Sequence, residues 1–195
     1  GIRIEGPIEK FQIAIPAVSP QELTGTYSRI VLAVKAHHTL AAVQEMEPHL
    51  TSDGFVLSAQ NGLNELVITQ VVGSKRTVGA FVNFGADWLE PGRILFGNRG
   101  ASVIGELDGS TLERTHEIHD LMKIFEPEAV LTDNIWGYLW GKLAYGAMLF
   151  ATALTNESMA DNFTDPRFTP VWVGLAREVI GLSHVRGVTP IGFNG

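Results

Sequence analysis

Two short apolar runs, each followed by polar residues and then a helical stretch, constrain the fold more than any other feature of this sequence. The first is the run Ile30–Val34, which is rich in β-branched residues and ends abruptly at Lys35. The second covers residues 54–58 and leads into Gln60-Asn61-Gly62. An unbroken apolar run is typical of a parallel strand covered on both faces. The sequence therefore predicts a repeated strand, loop and helix.

The rest of the chain extends this pattern. Alternating apolar residues around the turn Glu5-Gly6-Pro7 predict a hairpin over residues 2–18, with one face buried. The pattern further predicts helices over 38–49, 65–72 and 110–126, a third strand over 77–84, and an antiparallel sheet-edge extension made by 93–96 with 101–105. Strands alternating with helices at this spacing indicate a doubly wound α/β sheet.

After residue 130 the pattern becomes almost entirely helical, with segments expected over about 134–154 and 170–185. Thr132-Asp133-Asn134 is suited to capping the first of these helices. We therefore expect two domains, an α/β domain over residues 1–130 and part of an all-helical domain over residues 131–195.

The net charge and the absence of cysteine exclude or disfavour several classes of function. With 14 basic and 21 acidic residues the net charge is −7, which disfavours binding to nucleic acid or to an anionic membrane. The absence of cysteine excludes disulfides, thiolate metal sites and cysteine nucleophiles. No window approaches the roughly 18 apolar residues of a membrane span. We expect a cytoplasmic protein that acts on small molecules.

Lys142 is a lone charge on an otherwise apolar helix, within Trp140-Gly141-Lys142-Leu143-Ala144. One interpretation is that it extends from the helix to water. The other is that a partly desolvated ammonium donates a proton to an oxyanion forming on a substrate. Helical spacing aligns it with positions 146, 149 and 153, which offer room and few polar side chains.

Lys35 and Asn61 follow predicted parallel strands, at the edge where open α/β sheets bind ligands. Each has two interpretations. Lys35 is either a surface lysine or a cation for a nucleotide or carboxylate, and Asn61 either forms an Asn-Gly turn or contributes to a site. The adjacent His37 and His38 point to different sides of any regular element, so we predict no metal site there.

Four motifs carry a family resemblance: Val34-Lys35-Ala36, Gln60-Asn61-Gly62, Val103-Ile104-Gly105-Glu106-Leu107 and Trp140-Gly141-Lys142-Leu143. In order and spacing they resemble the ketopantoate reductase (2-dehydropantoate 2-reductase) family. The resemblance implies a Rossmann domain followed by a helical domain, and an NADPH-dependent reduction of a 2-keto acid to a 2-hydroxy acid. A homodimer is a possible assembly.

The resemblance also implies residue roles. Lys142 matches the family's catalytic acid, and Asn61 would bind at the junction of nicotinamide and substrate. Lys35 would help to position cofactor or substrate, and Ala86 would approach the cofactor through its backbone.

Departures from the family pattern leave the substrate open. The family has substrate-binding asparagines four and eight residues after its lysine, whereas this chain has Gly146 and Phe150. A missing hydrogen bond in a desolvated pocket costs about 1 to 3 kcal/mol. Alternatives are therefore a cofactor-binding paralogue with impaired catalysis and an opine dehydrogenase-like enzyme, which would also require an amino acid.

The family's opening strand and glycine-rich turn would precede Gly1, and its later serine and glutamate would follow Gly195. We therefore expect the chain to be an excerpt of a longer protein. In the Rossmann strand order the opening strand lies beside the strand that ends at Lys35, so that strand would lack a neighbour.

Overall fold

Residues 1–193 are described by a computed structural model and fall into two units. The sheet unit comprises residues 1–60 and 64–135, and the helical unit comprises Asn61–Leu63 and Trp136–Phe193. The strands are β1 (Ile2–Glu5), β2 (Phe11–Ile13), β3 (Tyr27–Leu32), β4 (Leu50–Ala59), β5 (Thr77–Val82), β6 (Gly85–Glu90), β7 (Arg93–Asn98), β8 (Ser102–Glu106) and β9 (Val130–Leu131). The α-helices are α1 (Thr39–Met46), α2 (Glu65–Val72), α3 (Glu113–Phe125), α4 (Ile135–Thr152), α5 (Met159–Thr164) and α6 (Thr169–Val185).

A five-stranded sheet in the order β3-β4-β5-β8-β9 forms the centre of the sheet unit. Strands β3, β4 and β5 are parallel, β8 is antiparallel to β5, and β9 is parallel to β8. The helices α1 and α2 are the crossovers between the parallel strands, as the alternation of apolar runs and helical stretches predicts.

Side-chain alternation along β4 divides the core into two layers. Val56 belongs to a cluster with Val43 of α1 and Ile68 of α2. Its neighbours Phe55 and Leu57 belong to the opposite cluster, which includes Ile118 of α3. Helices therefore cover both faces of the sheet, and the predicted doubly wound α/β fold is confirmed.

Strand β3 is less covered than its sequence predicts. Among residues 1–193 it pairs with β4 alone, so it is an edge of the sheet. Val31 is 58% exposed and lines an apolar cavity of about 230 Å³ with Phe55, Leu57 and Ile118. The expectation that both faces of this strand are covered is wrong, because α3 packs mainly on β8 and β9 at the other side of the sheet and leaves this face of β3 open.

A smaller sheet in the order β2-β1-β7-β6 contains the predicted hairpin. The pairing of β1 with β2 is confirmed, but the expected buried face is not found on β2, where Phe11 is 49% and Ile13 51% exposed. The predicted pairing of 93–96 with 101–105 is also wrong. Gly92, with a φ of 79°, turns the chain so that β7 pairs with the preceding β6, while β8 pairs with β5. The local hairpin has the shorter loop to close.

Helices dominate the second unit. The helices α4 and α6 match the predicted segments to within two residues at each end, while the short α5 was not predicted. The Trp172 indole packs edge-on against Phe163, with ring centroids 5.4 Å apart, and donates a hydrogen bond to the Asn162 carbonyl oxygen. No helix in the described part of the chain is long and apolar enough to cross a membrane.

Candidate functional site

Lys35 and Asn61 follow adjacent parallel strands, as their sequence positions predict. The last residue pair of β3 and β4 is Leu32 with Ser58, and β4 continues for one more residue, Ala59, which pairs with Ala80 of β5. Lys35 precedes a single 3-10 turn that leads into α1, and Asn61 lies in the loop that leads into α2. Both side chains are exposed. Each of the two residues therefore comes shortly after the end of a parallel strand.

A buried amide connects the two strand ends beyond the last paired residues. Gln60 is only 4% exposed, and its Nε2 donates to the Val34 carbonyl oxygen at 2.7 Å and to Thr39 Oγ1 at 2.8 Å. Its Oε1 accepts a hydrogen bond of 3.4 Å from Ser58 Oγ. Thr39 Oγ1 in turn donates to Asn64 Oδ1 at 3.0 Å. Neither Gln60 nor Thr39 was predicted as a site residue, although a glutamine directly after a buried strand was a usable signal.

Glu65, the first residue of α2, is fully buried, and neither of its carboxylate oxygens has a hydrogen-bond partner. Burial raises the pKa of this carboxyl to about 7. The backbone N–H of Glu65 and the Ser58 hydroxyl lie near enough to lower this pKa somewhat, but neither forms a hydrogen bond to the carboxylate. Glu65 was not predicted as a functional residue, because a glutamate at a helix start ordinarily faces solvent.

Lys142 lies near the middle of α4 and is partly buried. Burial lowers the pKa of its ammonium to about 8. This is the direction expected when a cation loses water without full compensation. A lysine with this pKa is protonated at neutral pH and can release its proton readily.

Close backbone packing explains the glycine before this lysine. The Ile191 N–H donates to the Gly137 carbonyl oxygen at 2.9 Å, so the chain after α6 runs against α4. A Cβ atom added to Gly141 would lie 2.0 Å from the Ile191 carbonyl oxygen. Glycine at 141 is therefore a steric requirement for the helix that carries Lys142.

After Lys142, helix α4 has free space or solvent around Gly146 and Phe150, the two positions where the family has asparagine. An added Cβ at Gly146 would meet no atom within 4 Å, and Phe150 is 84% exposed. There is room at Gly146 for a larger side chain.

The structure distributes the predicted site residues over both units. Lys35 and Ala86 belong to the sheet unit, whereas Asn61 and Lys142 belong to the helical unit. Ala86 is exposed on β6, the edge strand of the smaller sheet, opposite Phe96. Among residues 1–193 no group of three or more His, Asp or Glu side chains is arranged to hold a metal ion.

A parallel sheet with helices on both faces, polar residues at its carboxyl edge and a helical unit after it defines a Rossmann-like α/β protein. The sequence model of one such family, described as ketopantoate reductase PanE/ApbA, matches residues 1–109. The chain belongs to this family, and the resemblance found in its motifs is confirmed.

Curated relatives agree with this assignment. The chain is 26% identical to a 2-dehydropantoate 2-reductase of Mesorhizobium japonicum, over 100% of this chain and 67% of that protein. It is 30% identical to that of Pyrococcus horikoshii, over 73% of this chain and 46% of the relative. With the enzyme of Streptococcus pyogenes serotype M3 it shares 24% identity over 96% of its own length. It spans 62% of that streptococcal relative.

Solved structures share the fold. The 2-dehydropantoate 2-reductase of Geobacter metallireducens GS-15 superposes with a TM-score of 0.81 at 19% identity, covering 96% of this chain and 63% of that one. A D-mandelate dehydrogenase solved with NADH and anilino(oxo)acetate superposes with a TM-score of 0.83 at 18% identity, covering 97% and 62%. The predicted succession of a Rossmann-like sheet and a helical region is therefore confirmed.

Proposed function

We propose that the complete protein reduces a 2-keto acid to the 2-hydroxy acid with NADPH, and that Lys142 is the general acid. The observation that supports this most directly is the partly buried Lys142, with a pKa lowered to about 8, in a chain of the ketopantoate reductase family. A general acid works best when its pKa lies near the working pH, because it is then protonated and still a ready donor.

The donor groups suit a nicotinamide dinucleotide. The exposed ammonium of Lys35 suits a phosphate or carboxylate, and the Asn61 amide offers both a donor and an acceptor, as a carboxamide requires. Ala86 lies on an edge strand, whose outward backbone groups are not used in the sheet. The dinucleotide, when bound, supplies the hydride.

The part assigned to Lys142 is to hold a proton at Nζ and to pass it to the carbonyl oxygen as that oxygen becomes an alkoxide. Partial burial supports this part in two ways. It weakens the hold of the ammonium on its proton, and it strengthens the attraction between the ammonium and the developing oxyanion.

The test is oxidation of NADPH, and of NADH in parallel, by the complete protein over a panel of 2-keto acids. Lys142→Ala is expected to lower kcat by about 100-fold or more, the usual contribution of a general acid. Lys123→Ala, on the exposed surface of α3, is the matched control. Full activity of Lys142→Ala would remove its assigned role, and a folded protein that turns over none of the acids would overturn the enzyme proposal.

A second candidate substrate is a 2-keto acid with a bulky apolar group. The open space at Gly146 and the exposed Phe150 favour it over the polar ketopantoate, and a structural neighbour was solved with the aromatic anilino(oxo)acetate. Ketopantoate and phenylglyoxylate should be compared by kcat/KM. Gly146→Asn is expected to shift the ratio toward ketopantoate, because the new amide supplies a hydrogen bond worth about 1 kcal/mol.

The non-catalytic alternative predicts nucleotide binding without turnover, and an opine dehydrogenase-like enzyme predicts turnover only with an added amino acid.

We further propose a cytoplasmic homodimer, since the ketopantoate reductase of Staphylococcus aureus is described as dimeric. Light scattering coupled to size-exclusion chromatography would measure the molar mass of the complete protein, and a monomeric mass would contradict the dimer.

A further inference from the structure

We propose that Gln60 is a positioning residue for the cofactor, setting the strand end that carries Lys35 against the strand end that carries Asn61. The proposal rests on the proposed function, because it assigns Gln60 a role in the same reaction. The observation behind it is a single buried side chain that holds segments from two parts of the sheet unit.

The hydrogen-bonded ladder between β3 and β4 stops before the two proposed cofactor residues. The last pairing between β3 and β4 is Leu32 with Ser58. Val34 and Gln60 lie two residues after Leu32 and Ser58. Here a side-chain hydrogen bond follows the backbone ladder, because the Gln60 amide donates to the Val34 carbonyl oxygen. The residue after Val34 is Lys35, and the residue after Gln60 is Asn61. One side-chain amide thus joins the two strand ends immediately before the two proposed cofactor residues.

The hydrogen bonds of the Gln60 amide determine its orientation. Its oxygen accepts from Ser58, and both protons of its nitrogen are used, one toward Val34 and one toward Thr39. Thr39 is fully buried at the start of α1 and donates onward to Asn64. Because the acceptors and the donors of the glutamine face different partners, neither a flipped amide nor an apolar side chain can replace it.

The buried network lies directly beside exposed residues. A strand end that leaves a sheet for a loop is ordinarily solvated, and polar side chains buried there cost desolvation free energy unless they are hydrogen-bonded. Here the polar atoms are buried, while Lys35 and Asn61 beside them are exposed. This is the arrangement of a supporting network beneath ligand-facing groups.

The experiment compares Gln60→Met, which keeps the length of the side chain but has no amide, with Gln70→Met, the same change at an exposed position on α2. In the complete protein, Gln60→Met is expected to raise the KM and Kd for NADPH about 10-fold, the effect of losing one or two hydrogen bonds. The kcat at saturating cofactor should fall by less than about threefold, since Lys142 is untouched. Gln70→Met should match the wild type.

Thr39→Val is the second variant, because it removes the hydroxyl that connects Gln60 to Asn64 and keeps the shape. Its effect on the Kd for NADPH should be less than additive with Gln60→Met, because both act on one network. Hydrogen exchange of the amides in residues 33–38 should become faster in Gln60→Met and stay unchanged in Gln70→Met.

The outcomes separate this inference from the proposed function. An unchanged Kd and unchanged exchange in Gln60→Met, with an active wild type, would overturn the inference alone. A lower melting temperature with unchanged KM and kcat per folded molecule would also overturn it, since Gln60 would then serve stability only. Failure of the wild type to bind NADPH or NADH would overturn the proposed function first, and the inference with it.

Discussion

The buried carboxyl of Glu65 should make the stability of this protein fall as the pH rises. Its pKa is about 7 in the folded protein and 4.5 when the group is exposed in the unfolded chain. Between pH 4.5 and about pH 7, Glu65 keeps its proton in the folded state but has lost it in the unfolded state. The free energy of unfolding therefore decreases with rising pH over this window, and the penalty is complete above about pH 7.

The size of the effect follows from the two pKa values. Each unit of difference is worth about 1.4 kcal/mol, so a rise from 4.5 to about 7 amounts to roughly 3 kcal/mol. Glu65→Gln removes the charge and keeps the shape. We expect the variant to match the wild type near pH 4.5 and to be about 3 kcal/mol more stable at pH 8, which corresponds to a melting temperature about 6 to 12 °C higher.

The assay is thermal unfolding of the complete protein at several pH values between 4.5 and 8, comparing wild type with Glu65→Gln. Other carboxyls titrate in both proteins, so the difference between the two curves isolates Glu65. Glu113→Gln is the control, because Glu113 is also the first residue of its helix but is exposed. If the difference between wild type and Glu65→Gln were the same at pH 5 and pH 8, the reasoning from burial would be refuted.

Three further predictions concern other parts of the molecule. With Lys142 as the proposed general acid, the kcat of the proposed reduction should fall about tenfold per pH unit above pH 8, because its ammonium with a pKa of about 8 loses its proton there; a pH profile that is flat from 7 to 9.5 would contradict this. Gly141→Ala should destabilise the protein by at least about 2 kcal/mol in chemical unfolding, since its Cβ would lie 2.0 Å from a backbone oxygen, whereas Gly146→Ala on the same helix should stabilise it by up to about 1 kcal/mol. Equal effects of the two glycine substitutions would be inconsistent with this packing. Glu106→Gln should lower the free energy of unfolding by about 3 kcal/mol in the same assay. The Arg114 guanidinium donates two hydrogen bonds to Glu106, and the variant leaves it without this buried counter-charge. A loss below about 1 kcal/mol would show that the ion pair is as weak as an exposed one.

The parallel strands and most helices could be predicted because their signals are local. An apolar run such as Ile30–Val34 and a helical period are visible within ten to twenty residues. The pairing of β7 was mispredicted because two hairpin partners were available to it, and the tight turn at Gly92 selects the nearer one. The exposure of β2 and β3 depends on which helices or strands pack on their faces. The local sequence pattern cannot predict these tertiary contacts.

The candidate site divides in the same way. Lys35, Asn61 and Lys142 could be selected by motif and by position at a strand end or on a helix, and the strand-end positions of the first two are confirmed. Their roles remain predictions. Gln60 could have been selected from its position directly after a buried apolar run. Glu65 could not, because nothing in the chain around a glutamate at a helix start tells whether tertiary packing buries it.

The edge of β3, which is open among residues 1–193, has a consequence for handling this segment of the protein. Along Tyr27–Leu32 the outward backbone N–H and C=O groups form a template to which another extended chain can add, and the adjoining apolar cavity offers a place for its side chains. The isolated 195-residue chain should consequently self-associate at high concentration through this edge. Val31→Lys should improve the solubility of this chain, because it places a charge on the exposed apolar face beside this edge, where the side chains of an added strand would pack.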